Sequence, residues 1–173
     1  SSRSRRLPSW LRGLNEPVAR MNSNTPSDPA AFGWTDAFLL GDPRMDAVHR
    51  EFVDVVAGLL NCADAEMLER LDAFIVHARS HFGEEDQWMR ESEFPPRDCH
   101  IDEHAAVLAS AEEVRTQVAA GDFAIGRALA AELVRWFPGH ADHLDSALAH
   151  WKVKRSHGGR PVVLRRNIGK TAE

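Results

Sequence analysis

The chain has 173 residues, 43% of them hydrophobic, and a formal net charge of −5, which suits one domain with a well-buried core and is too short for two ordinary domains. Its apolar stretches fall far short of the roughly 20 residues that a membrane span needs, and its first residues lack the apolar core of a secretory signal. Cys62 and Cys99 form no paired motif, which fits a reducing compartment. We therefore expect a cytoplasmic protein that is not inserted in a membrane.

Charge is distributed unevenly along the chain. Residues 1–30 contain five arginines and two acidic residues, whereas residues 151–173 contain seven lysines and arginines and one acidic residue. The central part is therefore strongly acidic, and an acidic domain repels nucleic acid. We expect no nucleic-acid partner. The basic ends either keep the chain soluble or allow transient contact with a protein partner.

The two ends of the chain lack the periodicity of a packed element. Residues 1–33 are rich in Ser, Arg, Pro and Asn, a composition that predicts a flexible N-terminal arm. Met21 inside this arm is a candidate natural start. Residues 155–173 combine glycines, a proline and basic side chains and predict a basic C-terminal tail. The predicted domain lies between them, at residues 34–154.

Four helices are predicted within this domain, ending near residues 61, 91, 121 and 154. An acidic residue that can cap a helix precedes each of them, namely Asp42, Asp64, Asp98 and Asp122. Pro43 suits the first position of the first helix, and Gly121 suits the end of the third. Because the connections are short, consecutive helices should be antiparallel. The sequence predicts an all-α, up-down-up-down antiparallel four-helix bundle.

Each predicted core-facing stripe carries at least one histidine. On the second helix, Leu71, Phe74 and Ala78 continue into His81 and Glu85 at helical spacing, and the other stripes carry His49, His100, His104 and His140. Buried imidazoles and carboxylates are costly unless they pair with one another or bind a metal. The chain has no lysine between residues 31 and 150 and no arginine on these stripes, so no basic side chain there can pair with the buried carboxylates. Metal coordination is the remaining explanation.

Spacing supports a metal site with more than one ion. His81 with Glu85, and His100 with His104, are four residues apart and project from one helix face about 5–6 Å apart. Two such pairs, with single ligands from the other helices, suit a dinuclear site. Nitrogen-rich ligation favours iron, zinc or copper over calcium or magnesium, and the spacing does not choose among those three.

Four motifs, in chain order, resemble the haemerythrin family in its bacterial branch. Residues 41–50 resemble G-x-x-x-[hydrophobic]-D-x-x-H-[KR], and residues 81–86 resemble H-F-x-x-E-[ED]. His100 and His104 match the H-x-x-x-H pair, and residues 136–145 match W-[hydrophobic]-x-x-H-x-x-x-x-D. The resemblance covers roughly residues 34–151.

The resemblance implies a diiron centre that binds dioxygen. One iron would be held by three histidines and the second by two, with two bridging carboxylates and an oxo or hydroxo bridge from solvent. The first iron would be held by His100, His104 and His140, and the second by His49 and His81. The bridging carboxylates would be those of Glu85 and Asp145. Trp136 and Phe137 would form the apolar wall of the oxygen pocket. Reversible dioxygen binding implies an oxygen carrier, storage or delivery protein and not an enzyme.

Two other functions stay open. The first is a diiron enzyme that acts on peroxide, nitric oxide or ferrous iron, although the Glu-x-x-His pairs of ferritin-like oxidases do not occur in the sequence. The second is an oxygen-sensing signalling module, whose basic tails would have to meet a partner. Reversible binding of dioxygen is preferred because the chain shows no output or substrate domain.

The last predicted helix should be irregular. His140 and Asp145 are five residues apart, so an ideal α-helix would turn them about 140° away from each other. Pro138 and Gly139 precede them, and an inserted π-type turn would bring them to one face. We therefore expect non-ideal geometry between Val134 and Asp145, with His143 turned away from the metals.

Overall fold

The structure is a computed structural model, and it describes residues 32–156 and residue 158. Most of the predicted N-terminal arm, including Met21, and nearly all of the predicted basic tail lie outside these residues. The described part of the chain contains helices and turns and no strand. No helix in it is long and apolar enough to cross a membrane.

Four long helices pack as a ring, which confirms the predicted all-α four-helix bundle. The helices are α1 Pro43–Asn61, α2 Met67–Glu91, α3 Arg97–Ala119 and α4 Phe123–His140, and α4 continues through a π-helical turn, Ala141–Asp145, into α5 Ser146–Ser156. Each consecutive pair of the first four helices is in contact, and α4 also contacts α1. Short connections make neighbouring helices antiparallel.

Two of the predicted N-caps are confirmed. The Asp42 carboxylate accepts hydrogen bonds from the backbone N–H groups of Arg44 and Met45, each at 3.1 Å. The Asp122 carboxylate accepts one from the backbone N–H of Ile125 at 3.3 Å. These bonds satisfy N–H groups that the first turn of a helix leaves free.

The other two predicted caps are wrong. Asp64 begins a short 3-10 turn, Asp64–Glu66, and α2 begins only after it. Asp98 lies inside α3, which begins one residue earlier and has no side-chain cap. In the first case Glu66 accepts a hydrogen bond from the backbone N–H of Ala63 at 3.2 Å, and in the second a turn from Phe94 leads directly into the helix.

The buried apolar core has two parts, and the buried histidines and carboxylates lie between them. The larger part contains Phe52 and Phe82, and the smaller contains Met45 and Met89. Along α1, His49 comes between residues of the two parts, and Glu85 does so along α2. The polar residues therefore form a layer across the bundle that is closed by apolar side chains on both sides.

The segment before α1 packs against the bundle. Phe32 is only 4% exposed, and its ring is 6.4 Å from that of Phe38. The Phe38 ring in turn meets the Phe137 ring edge-on at 5.2 Å. The packed region thus includes Phe32, one of the residues predicted to form the flexible arm, because the apolar face of this segment has a partner on α4.

Candidate metal centre

All the residues predicted as metal ligands are buried in one layer of the bundle, none more than 5% exposed. They form two groups, in each of which the ligand atoms lie within 4.8 Å of one another. The first group, called here the three-histidine group, consists of His100, His104, His140, Glu85 and Asp145. The second, the two-histidine group, consists of His49, His81 and Glu85.

The Glu85 carboxylate faces both groups with different oxygen atoms. Its Oε1 atom is 3.1 Å from Nε2 of His81 and 3.5 Å from Nε2 of His49. Its Oε2 atom is 3.4 Å from Nε2 of His104 and 3.9 Å from Nε2 of His100. A carboxylate in this position can share its two oxygens between two metal ions.

The Asp145 carboxylate also faces both groups with different oxygen atoms. Its Oδ2 atom is 3.3 Å from Nε2 of His49. Its Oδ1 atom is 3.1 Å from Nε2 of His100 and 3.3 Å from Nε2 of His140. Both carboxylates therefore lie between the two groups of imidazoles.

The π-helical turn explains how Asp145 reaches this position. It spans Ala141–Asp145 directly after His140, and a π-type turn aligns residues five apart that an α-helix would separate. The predicted irregularity is confirmed. His143 is also turned away as predicted, with a side chain 71% exposed and its Nδ1 atom 2.8 Å from the backbone carbonyl of Gly139. Pro138 lies inside α4, two residues before its end.

The chemistry of the donor atoms fits bound metal. The Nε2 atom of His140 lies 3.2 Å from the Nε2 atoms of both His100 and His104. Nε2 of His49, Oε2 of Glu85 and both carboxylate oxygens of Asp145 are buried without a hydrogen bond. Buried polar atoms are normally satisfied, and cations among these converging nitrogens and oxygens would satisfy them.

The carboxylates and imidazoles of the cluster shift one another's pKa. Burial lowers the pKa of His49, but the nearby Asp145 and Glu85 carboxylates outweigh it and raise that pKa to about 9. The pKa of His140 is likewise lowered by burial and raised by Asp145 and Glu103, to about 9. Burial and Asp145 raise the pKa of Glu85, yet the imidazoles of His81 and His49 bring it to about 2. The metal-free cluster thus contains imidazolium–carboxylate pairs.

Two acidic side chains contact the outer nitrogens of site histidines, that is, the Nδ1 atoms of imidazoles whose Nε2 atoms face the other ligands. Asp86 Oδ1 is 2.8 Å from Nδ1 of His104, and Glu103 Oε2 is 2.9 Å from Nδ1 of His140. Glu103 is not among the residues predicted for the site. It lies off the core-facing stripe of α3, and its only signal is its position next to His104.

The two aromatic residues predicted for the oxygen pocket lie against different groups. The Phe137 ring meets the His49 ring edge-on at 5.4 Å and stacks on the Phe52 ring at 4.7 Å. The Trp136 ring lies 4.2 Å from the His140 ring, at an angle of 31°. Phe137 therefore borders the two-histidine group, and Trp136 borders the three-histidine group.

The aspartate of the first motif is not a ligand. Asp46 is 8% exposed, and its carboxylate accepts hydrogen bonds from the backbone N–H groups of Leu40 at 2.8 Å and Gly41 at 3.1 Å. Gly41 has a φ of +83°, in the left-handed region that favours glycine. This glycine and this aspartate fix the turn that leads into α1.

The comparisons with known proteins agree with this geometry. A protein-family model described as "Hemerythrin HHE cation binding domain" matches residues 40–151. The chain is similar to a protein named "Bacteriohemerythrin" from Ralstonia nicotianae, with 41% identity over 127 residues, which are 73% of this chain and 93% of that protein. The residues that the family model matches include all of the site residues described above.

Proposed function

Because this chain belongs to the haemerythrin family, we propose that its buried cluster binds two iron ions and that the loaded centre binds dioxygen reversibly. One iron would be held by the histidines of the three-histidine group and the other by those of the two-histidine group. Glu85 and Asp145 would bridge them. The protein would then serve as an oxygen carrier, store or delivery protein.

The observation that carries this proposal is the position of the two carboxylates. Each is at most 1% exposed, and each faces imidazoles of both groups with separate oxygens. A single ion would leave one set of imidazole nitrogens and carboxylate oxygens unsatisfied. Two ions, one in each group, would use all of them.

The donor set also bears on the choice of metal and on the chemistry. Imidazole nitrogens with few carboxylates suit a borderline metal such as iron, and a pair of ferrous ions can supply the two electrons needed for reversible dioxygen binding. The chain's own contribution is to exclude water. Phe137 and Phe52 are at most 1% exposed and close the side of the layer next to His49. Such a hydrophobic shell limits solvent access.

A spectroscopic cycle tests the proposal. The full chain would be loaded with ferrous iron without oxygen, its iron content measured, and its visible spectrum recorded after oxygen is added and again after it is removed. We expect two irons per chain and an absorption that appears with oxygen and disappears with its removal. Asp145→Asn should abolish the cycle. One zinc per chain, or steady consumption of dioxygen or peroxide without reversible binding, would contradict the proposal.

A further inference from the structure

The outer nitrogens of the site imidazoles are supported unequally. Two of them face a carboxylate, Nδ1 of His104 with Asp86 and Nδ1 of His140 with Glu103. Both of these histidines belong to the three-histidine group. Within residues 32–156, the Nδ1 atoms of His49 and His81 are buried and have no hydrogen-bond partner, and in the three-histidine group the same is true of His100 alone. The two-histidine group therefore has no comparable support.

A carboxylate at the outer nitrogen, Nδ1, strengthens metal binding by the inner nitrogen, Nε2, of the same imidazole. It accepts the Nδ1–H hydrogen bond, which fixes the tautomer and leaves the Nε2 lone pair free for a metal. It also holds the ring in one orientation and makes the ligand more basic. Where such a partner is missing, the ring is free to adopt either tautomer, and part of the binding free energy is lost.

Both carboxylates are themselves held in place. Glu103 accepts a second hydrogen bond from the indole N–H of Trp136 at 3.3 Å, and the indole ring lies against the same His140 ring that Glu103 contacts. Asp86 lies 3.6 Å from the guanidinium of Arg90 on the next turn of α2. The Glu103 side chain is 49% exposed and that of Asp86 is 18% exposed. The supports thus lie at the edge of the bundle, outside the ligand layer.

We propose that Glu103 and Asp86 are positioning residues that make the three-histidine group the tighter of the two metal sites. The site should therefore fill in order, with the first ion entering the three-histidine group and the second the two-histidine group. This inference rests on the proposed metal pair and is independent of dioxygen binding.

Titration of the full, metal-free chain with Co²⁺, followed by visible absorption, tests this order. The wild-type chain should show two steps of different affinity. Glu103→Gln or Asp86→Asn should weaken the tighter step about 10- to 100-fold, the effect typical of losing an outer partner of a metal-binding histidine, and leave the weaker step unchanged. Glu84→Gln is the matched control, because the Glu84 carboxylate pairs with Arg44 at the surface.

A second background isolates the tighter step. His49→Ala removes a ligand of the two-histidine group only, so one Co²⁺ should remain, and Glu103→Gln added to it should weaken that ion by the same factor. Unchanged affinity, or equal weakening of both steps in the wild-type background, would overturn the inference. Absence of any Co²⁺ uptake by the wild-type chain would overturn both the metal centre and the inference. Ordered loading without reversible dioxygen binding would contradict only the proposed function.

Discussion

Nε2 of His140 lies 3.3 Å from Oδ1 of Asp145, although five residues of α-helix would turn these two side chains about 140° apart. The π-helical turn between α4 and α5 makes this contact possible. It also places Asp145 where its other oxygen, Oδ2, meets His49 on α1. One local departure from α-helical geometry thus links the two groups of imidazoles.

Replacing the carboxylate of this turn should remove metal. Asp145→Asn keeps the size of the side chain but leaves only one oxygen, so it cannot bridge two ions, and we expect iron content to fall by at least half. Asp142→Asn is the matched control, because Asp142 lies in the same turn with its side chain 79% exposed. Metal analysis of purified, folded chains measures both. Equal iron in the Asp145 variant and the wild type would contradict the bridging role.

The sequence predicted the bundle and the gathering of the histidines because both follow from helical periodicity, which places residues three and four apart on one face. It also predicted the irregular turn, since His140 and Asp145 could not otherwise meet. It did not predict the Glu103 contact, because that residue lies off the core-facing stripe and its partner, His140, is on another helix. It also did not predict the burial of Phe32, because the ring beside it, Phe38, is held against the bundle by Phe137, which is distant in sequence. Contacts between elements depend on their packing, which periodicity does not encode.

Removing the Phe137 ring should open the site to water. Phe137→Ala leaves a cavity beside His49 and Phe52, so we expect a loss of about 3–5 kcal/mol in the free energy of unfolding and faster autoxidation of the oxygenated protein, with iron retained. Phe74→Ala is a control of equal burial, because Phe74 is 0% exposed and packs on Phe52 without forming part of the wall beside His49. Equal autoxidation rates in the two variants would show that the effect comes from general loosening of the core.

The Asp46 side chain should matter for stability and not for ligation. Asp46→Ala removes the acceptor of the backbone N–H groups of Leu40 and Gly41, and each lost hydrogen bond costs about 0.5–1.5 kcal/mol where water can reach the freed group. Chemical denaturation should therefore show a lower free energy of unfolding, while iron per folded chain stays at the wild-type level. Asp36→Ala, in the exposed part of the preceding segment, should change neither quantity. Loss of iron from folded Asp46→Ala would mean that this turn positions His49 more strictly than its contacts suggest.

Metal uptake should compete with protons on two of the ligands. The pKa values of His49 and His140 are raised from 6.5 to about 9 in the metal-free cluster, so both imidazoles are protonated near neutral pH and must lose those protons to bind a cation. The apparent metal affinity should therefore rise with pH up to about 9. Calorimetric titration with Co²⁺ in two buffers of different ionisation enthalpy counts the protons released. Uptake without proton release at pH about 7 would contradict the assignment.

The same shifts predict the opposite trend for the stability of the metal-free protein. A group whose pKa is higher in the folded state than in the unfolded state contributes stability in full below the unfolded pKa and loses it as the pH rises through the folded pKa. For His49 and His140 this window runs from 6.5 to about 9. The melting temperature of the metal-free chain should fall across this range, and that of the iron-loaded chain should not, since bound metal replaces the protons. His49→Gln should flatten the metal-free profile by removing one of the two protonated imidazoles. A metal-free chain that melts at the same temperature at both ends of the window would show that these imidazoles do not carry the charge that their carboxylate contacts require.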